Sequence, residues 1–248
     1  MRESATFWHK ARTLWKPREF GARLHRCPLC GPGLLLRLAH DETAVRCLRC
    51  RASALHLSLV AVLRRVCPDL AQRRTLELSA RGALACWLRP RVATFTGTEY
   101  FEGAQPGSWR DGIRCEDVQR LSFAAASFDL ITHTEVFEHV ADDAAGFAEL
   151  HRVLAPGGMT VFTVPLLPAE PTRLRASLID GEIRHQLPPI YHGDPLRGAA
   201  GRVLCFRDFG HDIVERLRNA GFARAWIVPA PERVWWGYGR PVIVAQRD

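Results

Sequence analysis

Apolar residues recur at helical spacing from Ser53 to Arg65, where Leu55, Leu57, Leu59, Val60 and Leu63 stand before Pro68 stops the run. Beyond it the pattern alternates. Thr75–Ser79 reads as a short strand, Gly82–Leu88 as a short helix before Pro90, and Val92–Thr98 as a β-branched strand ending at Glu99. Gly112–Asp117 is a short strand closing on two acids, and Phe128–Thr132 is a further strand. Asp142–Leu154 sets Phe147, Leu150, Val153 and Leu154 on one helical face and breaks at Pro156-Gly-Gly158. Met159–Val164 is an apolar strand, Phe209–Ala220 an amphipathic helix ended by Gly221, and Arg224–Val228 and Val242–Ala245 are the last strands. This alternation predicts an α/β fold, a parallel sheet with helices on both faces.

Ligands of such sheets bind at the carboxyl ends of the strands. The residues expected there are Glu77 with Ser79–Gly82, Glu99, Glu116 with Asp117, and Thr132–Glu135. A carboxylate only accepts hydrogen bonds and is a poor neighbour for phosphate. Three acid-tipped strands therefore argue against a nucleoside triphosphate or a dinucleotide. They favour an adenosyl ligand without phosphate.

Cysteine spacing adds a second module. Cys27-Pro-Leu-Cys30 and Cys47-Leu-Arg-Cys50 form two C-x2-C pairs sixteen residues apart. Each pair presents two sulfurs to one ion, and two pairs complete a tetrahedron. With Leu34–Leu38, a polar turn at His40–Thr43 and Ala44–Arg46 between them, the segment predicts two knuckles joined by a hairpin, a zinc ribbon. The role expected for Zn2+ is structural, since four thiolates leave no open position, with iron as the alternative metal. Cys67, Cys86, Cys115 and Cys205 read as isolated packing or surface residues.

The net charge of +8 is concentrated at the start: residues 1–55 hold 11 basic and 4 acidic residues, the remainder 23 and 22. A basic N-terminal module raises the question of an acidic partner such as RNA. No apolar run is long enough to span a membrane, and the N-terminus lacks the pattern of a secretory signal, so cytoplasm is the expected compartment. The expected division is an N-terminal tail over 1–22, the ribbon over 23–54 and a catalytic domain over 55–248, with an insertion at 166–205.

Several segments together resemble the class I S-adenosylmethionine (SAM)-dependent methyltransferases of the methyltransferase-11 type. They are LEL at 76–78, TEYF with Glu99, EDVQRLSFAAASFDLI at 116–131, TEVFEHV at 134–140 and ELHRVLAPGG at 149–158. The resemblance covers roughly residues 70–230. It implies a Rossmann-like seven-stranded sheet and SAM as cofactor. It also implies that Glu77 lies beneath the methionine part, Glu99 takes the ribose hydroxyls, and Asp117 and the Val118 N–H meet the adenine. Thr132 and Thr134 would lie beneath the cofactor near the transferred methyl. The family's first loop is glycine-rich. Here Ser79 and Arg81 replace the first two glycines and Ala83 the third, leaving Gly82 alone. Arg81 points outward or meets the cofactor's carboxylate, and the loop is read as altered but working. The rival reading is a chain that kept the fold and lost the cofactor, a non-catalytic binding protein.

For the acceptor, Glu135, Glu138 and His139 follow the fourth strand, although Glu138-His139 reads first as capping and packing before the next helix. His185, Tyr191, His192 and Asp194 lie in the insertion, where they are expected to bind substrate, with Glu135, His139 and His192 as the catalytic candidates. A metal bound by the insertion's histidines and aspartate is the less favoured reading. The favoured acceptor is a small molecule, a sugar or natural-product intermediate. The alternative is a ribosomal or transfer RNA base gripped through Arg12, Arg18, Arg23, Arg26, Arg46, Arg49 and Arg51. The Val234–Tyr238 stretch reads equally as a contact surface, a turn or a pocket wall.

Overall fold

The computed structural model describes residues 16–41, 44–167, 169–193, 201–229 and 236–248. Strands β1 (Gly21–Cys27), β2 (Gly31–Arg37) and β3 (Val45–Cys47) form an antiparallel sheet in the order β1-β2-β3. Helix α1 (Ala54–Val66) follows, its Ser53 cap reciprocated by His56, whose Nδ1 lies 2.6 Å from the Ser53 hydroxyl. Burial pushes the His56 imidazole down to about 4, so this cap is neutral.

The main sheet comprises β4 (Arg74–Glu77), β5 (Thr94–Glu99), β6 (Trp109–Arg110), β7 (Ile113–Cys115), β8 (Phe128–Thr134), β9 (Leu154–Thr163), β17 (Arg224–Val228) and β18 (Val242–Gln246). Its order is β17-β18-β9-β8-β4-β5-β7-β6. Strands β7, β5, β4, β8 and β9 are mutually parallel, and β18 runs antiparallel to both β9 and β17. The sheet thus has eight strands rather than seven. The extra one is β6, which pairs with β7 through a two-residue turn at Asp111-Gly112, both at positive φ (51° and 73°). Asp-Gly is the preferred dipeptide of such hairpins.

Alternate residues of the central strands feed two cores. Leu130, Val161, Val242 and Val244 pack with α1 and with α2 (Gly82–Leu88); Ile131, Phe162, Ile243 and Ala245 pack with α3 (Asp143–Val153) and α4 (Ile213–Asn219). The expected helices on both faces are present. The first core runs on into the ribbon through Leu29, Leu35, Val45 and Cys47. The second centres on stacked Phe137 and Phe147, whose ring centroids are 4.3 Å apart, an arrangement contributing about 0.5–1.5 kcal/mol beyond simple burial.

The insertion is built of short strands: β10 (Leu166–Leu167), β11 (Arg173–Leu174), β12 (Ala176–Ile179), β13 (Glu182–His185), β14 (Tyr191–Gly193) and β15 (Arg202–Leu204). It closes with β16 (Arg207–Gly210), which pairs with β10 and β11. The helix expected over Phe209–Ala220 is therefore shorter. Phe209 belongs to a strand, and Gly210 is where the Glu170 carbonyl comes within 2.0 Å of any added Cβ. Tertiary pairing overrides the helical spacing of Phe209, Ile213 and Leu217. No helix among the described residues is long and apolar enough to cross a membrane.

Candidate active site

The three acid-bearing strands β4, β5 and β7 are consecutive neighbours, so Glu77, Glu99 and the Glu116-Asp117 pair emerge along one carboxyl edge. Glu77 is 1% exposed, and Thr132 Oγ1 donates to it from β8. Burial, reinforced by the nearby Glu99 charge, holds its carboxyl well above the usual range. A buried acid beside a second acid is a place for a cationic or donor-rich ligand, because either one favours the ionised form.

Glu99 accepts from the Ser79 hydroxyl (3.3 Å) and the Ala80 N–H (3.1 Å), which folds the first loop over β5. A Cβ on Gly97 would lie 2.9 Å from the Ala80 Cα, so the glycine permitting this approach sits in the strand, not in the loop. Gly82 supplies the positive φ (92°) that opens α2. Arg81 is exposed. Asp117 accepts from the Gln119 N–H and its side-chain amide at 3.0 and 3.1 Å. Val118 is buried beside it, whereas the buried Glu116 is consumed by Arg114 (2.7 Å) and Ser122. Thr134, the last residue of β8, is half-buried at the same edge.

Past β8 the chain turns at Glu135, whose φ of 52° is strained for a residue with a side chain. Arg240 donates to its Oε2 at 3.1 Å. A 3-10 turn, Phe137–His139, follows and is pinned from the insertion side. The Phe206 N–H donates to the Glu138 carbonyl (2.7 Å), and buried Arg207 donates to the carbonyls of Val140 (2.6 Å) and Ala141 (2.7 Å). His139 Nδ1 lies 2.8 Å from the Leu204 carbonyl and 3.9 Å from Cys205 Sγ. The ring of His192, from β14, packs edge-on to that of His139 with centroids 5.0 Å apart. Cys205 and Glu138 push the His192 imidazole up to about 10.

The acceptor-side candidates thus divide. Glu135, His139 and His192 border the carboxyl end of β8. Tyr191 is exposed in the same strand as His192, and His185 sits exposed on the separate β12–β13 hairpin. Asp194 lies outside the described residues, as do Arg12, Val234 and Trp235. Cys205, read from sequence as an isolated packing residue, joins His139 and His192 in one cluster. Arg207 and Arg240, which hold the turn, were not foreseen; no local motif marks them, because their partners lie dozens of residues away.

The four ribbon cysteines place one sulfur each within 4.8 Å of all the others, with Cys27–Cys50 and Cys30–Cys47 at 3.6 Å. Disulfide sulfurs sit about 2.05 Å apart. A tetrahedral ion with bonds of about 2.3 Å to sulfur sets its ligands about 3.8 Å apart. The spacing fits an ion. Trp236, leading toward β18, lies under the ribbon, with the Arg23 guanidinium 4.1 Å and that of Arg37 5.4 Å from its ring centroid.

Residues 76–162 match the family model described as a methyltransferase domain, of the methyltransferase-11 type. This segment carries a methyltransferase domain. No curated protein matches the chain. Among solved structures, the domain is similar to SAM-bound CalS10 from Micromonospora echinaspora, an amino pentose methyltransferase. That match has 18% identity and a TM-score of 0.51, and covers 81% of this chain and 94% of that one. A SAM-dependent methyltransferase from Mesorhizobium loti matches at 19% identity and a TM-score of 0.49, covering 77% of this chain and 98% of that one. The first likeness establishes the shared α/β fold.

Proposed function

We propose that the chain transfers a methyl group from SAM to a small-molecule acceptor of sugar or natural-product type, and that its ribbon holds a structural zinc ion. The observation that carries the reading is the line of acids on neighbouring strands, with one of them, Glu77, fully desolvated. SAM supplies an electrophilic methyl group on a sulfonium sulfur. Glu77 is the residue to hold the cationic methionine end, and Glu99 the one to exchange its Ser79 and Ala80 donors for ribose hydroxyls. Asp117 and the Val118 N–H are the candidates to meet the adenine, with Ser79, Arg81 and Gly82 at the turn beside it. Thr132 fixes the Glu77 carboxyl, and Thr134 closes the floor of the site.

On the acceptor side, Glu135 is the candidate to take a proton from the acceptor. His139 and His192, with Tyr191, His185 and Asp194 of the insertion, are the candidates to orient it. CalS10 is an amino pentose methyltransferase, so this fold accommodates a sugar acceptor. Against RNA, part of the ribbon's basic charge is engaged within the protein. Arg23 and Arg37 hold Trp236, and burial lowers Arg46 to about 10. Exposed Arg18, Arg26 and Arg49 keep the RNA reading in view.

Calorimetric titration tests the proposal. SAM is expected to bind the wild type, and Glu99→Ala to weaken it roughly 10- to 100-fold, the range for losing hydrogen bonds to a charged group. Absence of binding at millimolar SAM overturns the enzyme reading. RNA binding that falls steeply between two salt concentrations would transfer the acceptor to nucleic acid.

A further inference from the structure

The turn after β8 contains a frustrated contact that the methyltransferase reading does not use. Glu138 is 1% exposed, and neither carboxylate oxygen has a hydrogen-bond partner. Its Oε1 faces His139 Nε2 at 3.6 Å and His192 Nδ1 at 3.7 Å. The Leu204 carbonyl, 2.8 Å from His139 Nδ1, can only accept, so the ring proton of a neutral His139 sits on Nδ1. Nε2 then turns a lone pair toward a carboxylate. Two acceptors then face each other, and either a proton on an imidazole or a metal cation between them relieves the contact.

One ligand atom each from His139, His192 and Cys205 falls within a 4.8 Å span, and the Glu138 carboxylate approaches this trio through its contacts to the two imidazoles. Two imidazoles, a thiol and a carboxylate form a donor set for a zinc-class divalent ion. The His139 Nδ1–H held by a backbone carbonyl is the outer hydrogen bond that metal-bound histidines characteristically make. The His192 side chain is 40% exposed, which gives an ion a way in.

We infer that His139, His192, Glu138 and Cys205 form a second metal site, distinct from the ribbon, which clamps the insertion onto the carboxyl end of β8. It draws its ligands from the 3-10 turn, from β14 and from the residue after β15, so binding an ion fixes three segments at once. With both imidazole lone pairs committed to the ion, the role of base falls to Glu135. The inference stands independently of SAM binding and of the acceptor's identity.

Metal content measured on the full chain, purified with Zn2+ and dialysed against a weak chelator, tests it. The wild type is expected to hold two zinc ions per chain, and Cys47→Ser and His192→Ala one each. Because His192 is partly exposed, its alanine variant is expected to fold, which circular dichroism checks. Fewer than two ions in the wild type, or two retained in His192→Ala, overturns the second site. Substitution with Co2+ gives an independent reading. The wild-type spectrum minus that of His192→Ala should contain a thiolate-to-cobalt band, and the band should be lost in Cys205→Ser. A difference spectrum without it removes Cys205 from the ligand set and overturns the four-ligand site.

Discussion

The two halves of the sheet's carboxyl edge are assembled in different ways. On the half proposed for the cofactor, each acidic side chain closes its own strand: Glu77 on β4, Glu99 on β5, Asp117 just past β7. Strand pairing alone aligns them. On the acceptor half, Glu135, Glu138 and His139 come from one turn, whereas His192, Cys205, Arg207 and Arg240 arrive from segments up to a hundred residues away. The first half depends on register and tolerates a rebuilt loop. The second depends on long-range tethers, and a change in any tether is felt by the others.

Substitutions in the two halves should therefore separate. Glu135→Gln keeps an acceptor for Arg240 but removes the proposed base. It is expected to lower turnover about 10²-fold or more while leaving SAM affinity unchanged, as measured by single-turnover rates and calorimetry. Equal turnover would make Glu135 an anchor for Arg240 and shift the chemistry elsewhere.

Glu77→Gln acts on the other half and should do two opposed things. It is expected to weaken SAM by about tenfold, and also to stabilise the unliganded fold at neutral pH. Glu77's folded pKa lies above its unfolded value, so its contribution to stability is full below the unfolded value, near 4.5, and is lost as pH rises through the raised folded value. Urea unfolding of the wild type should show this loss, and the glutamine variant should not. A variant less stable than wild type at pH 7 would contradict the desolvation argument.

The smallest effect at neutral pH is expected at His133, which lies between the halves. It is fully buried, stacked on Phe162 (4.4 Å between centroids) and Phe137 (5.0 Å), and desolvation lowers its imidazole to about 3. A depressed histidine costs stability as pH falls from about 6.5 toward 3, because only the unfolded chain takes up the proton. His133→Phe should leave activity at pH 7 nearly unchanged and flatten the acid limb of the stability profile. The full change is on the order of 5 kcal/mol. An unchanged acid limb would mean that another group governs it.

The strand ends, the helix over 82–88 and the cysteine cluster were legible in the sequence because their signals are local: an acid at the end of an apolar run, a short apolar stretch stopped by proline, C-x2-C pairs. The Asp111-Gly112 and Asp180-Gly181 turns were equally local and went unused, although each makes a two-residue hairpin with positive φ at both positions. Those two dipeptides would have announced the eighth strand and the hairpin inside the insertion. Phe209 failed for a different reason. It sits four residues before Ile213, so one side chain satisfies the helical period while the backbone pairs as a strand. Cys205 and Arg207 carry no local signal, because their meaning depends on the insertion returning to the turn at 137–139.

The Trp236 ring pinned beneath two ribbon arginines ties the beginning of the described chain to the approach of its final strand. The small sheet is thereby riveted to the segment that leads into β18. Stripping the proposed ion from the four sulfurs would slacken the approach to β18 as well as β1, and through Arg240, four residues beyond that ring, the disturbance would reach Glu135.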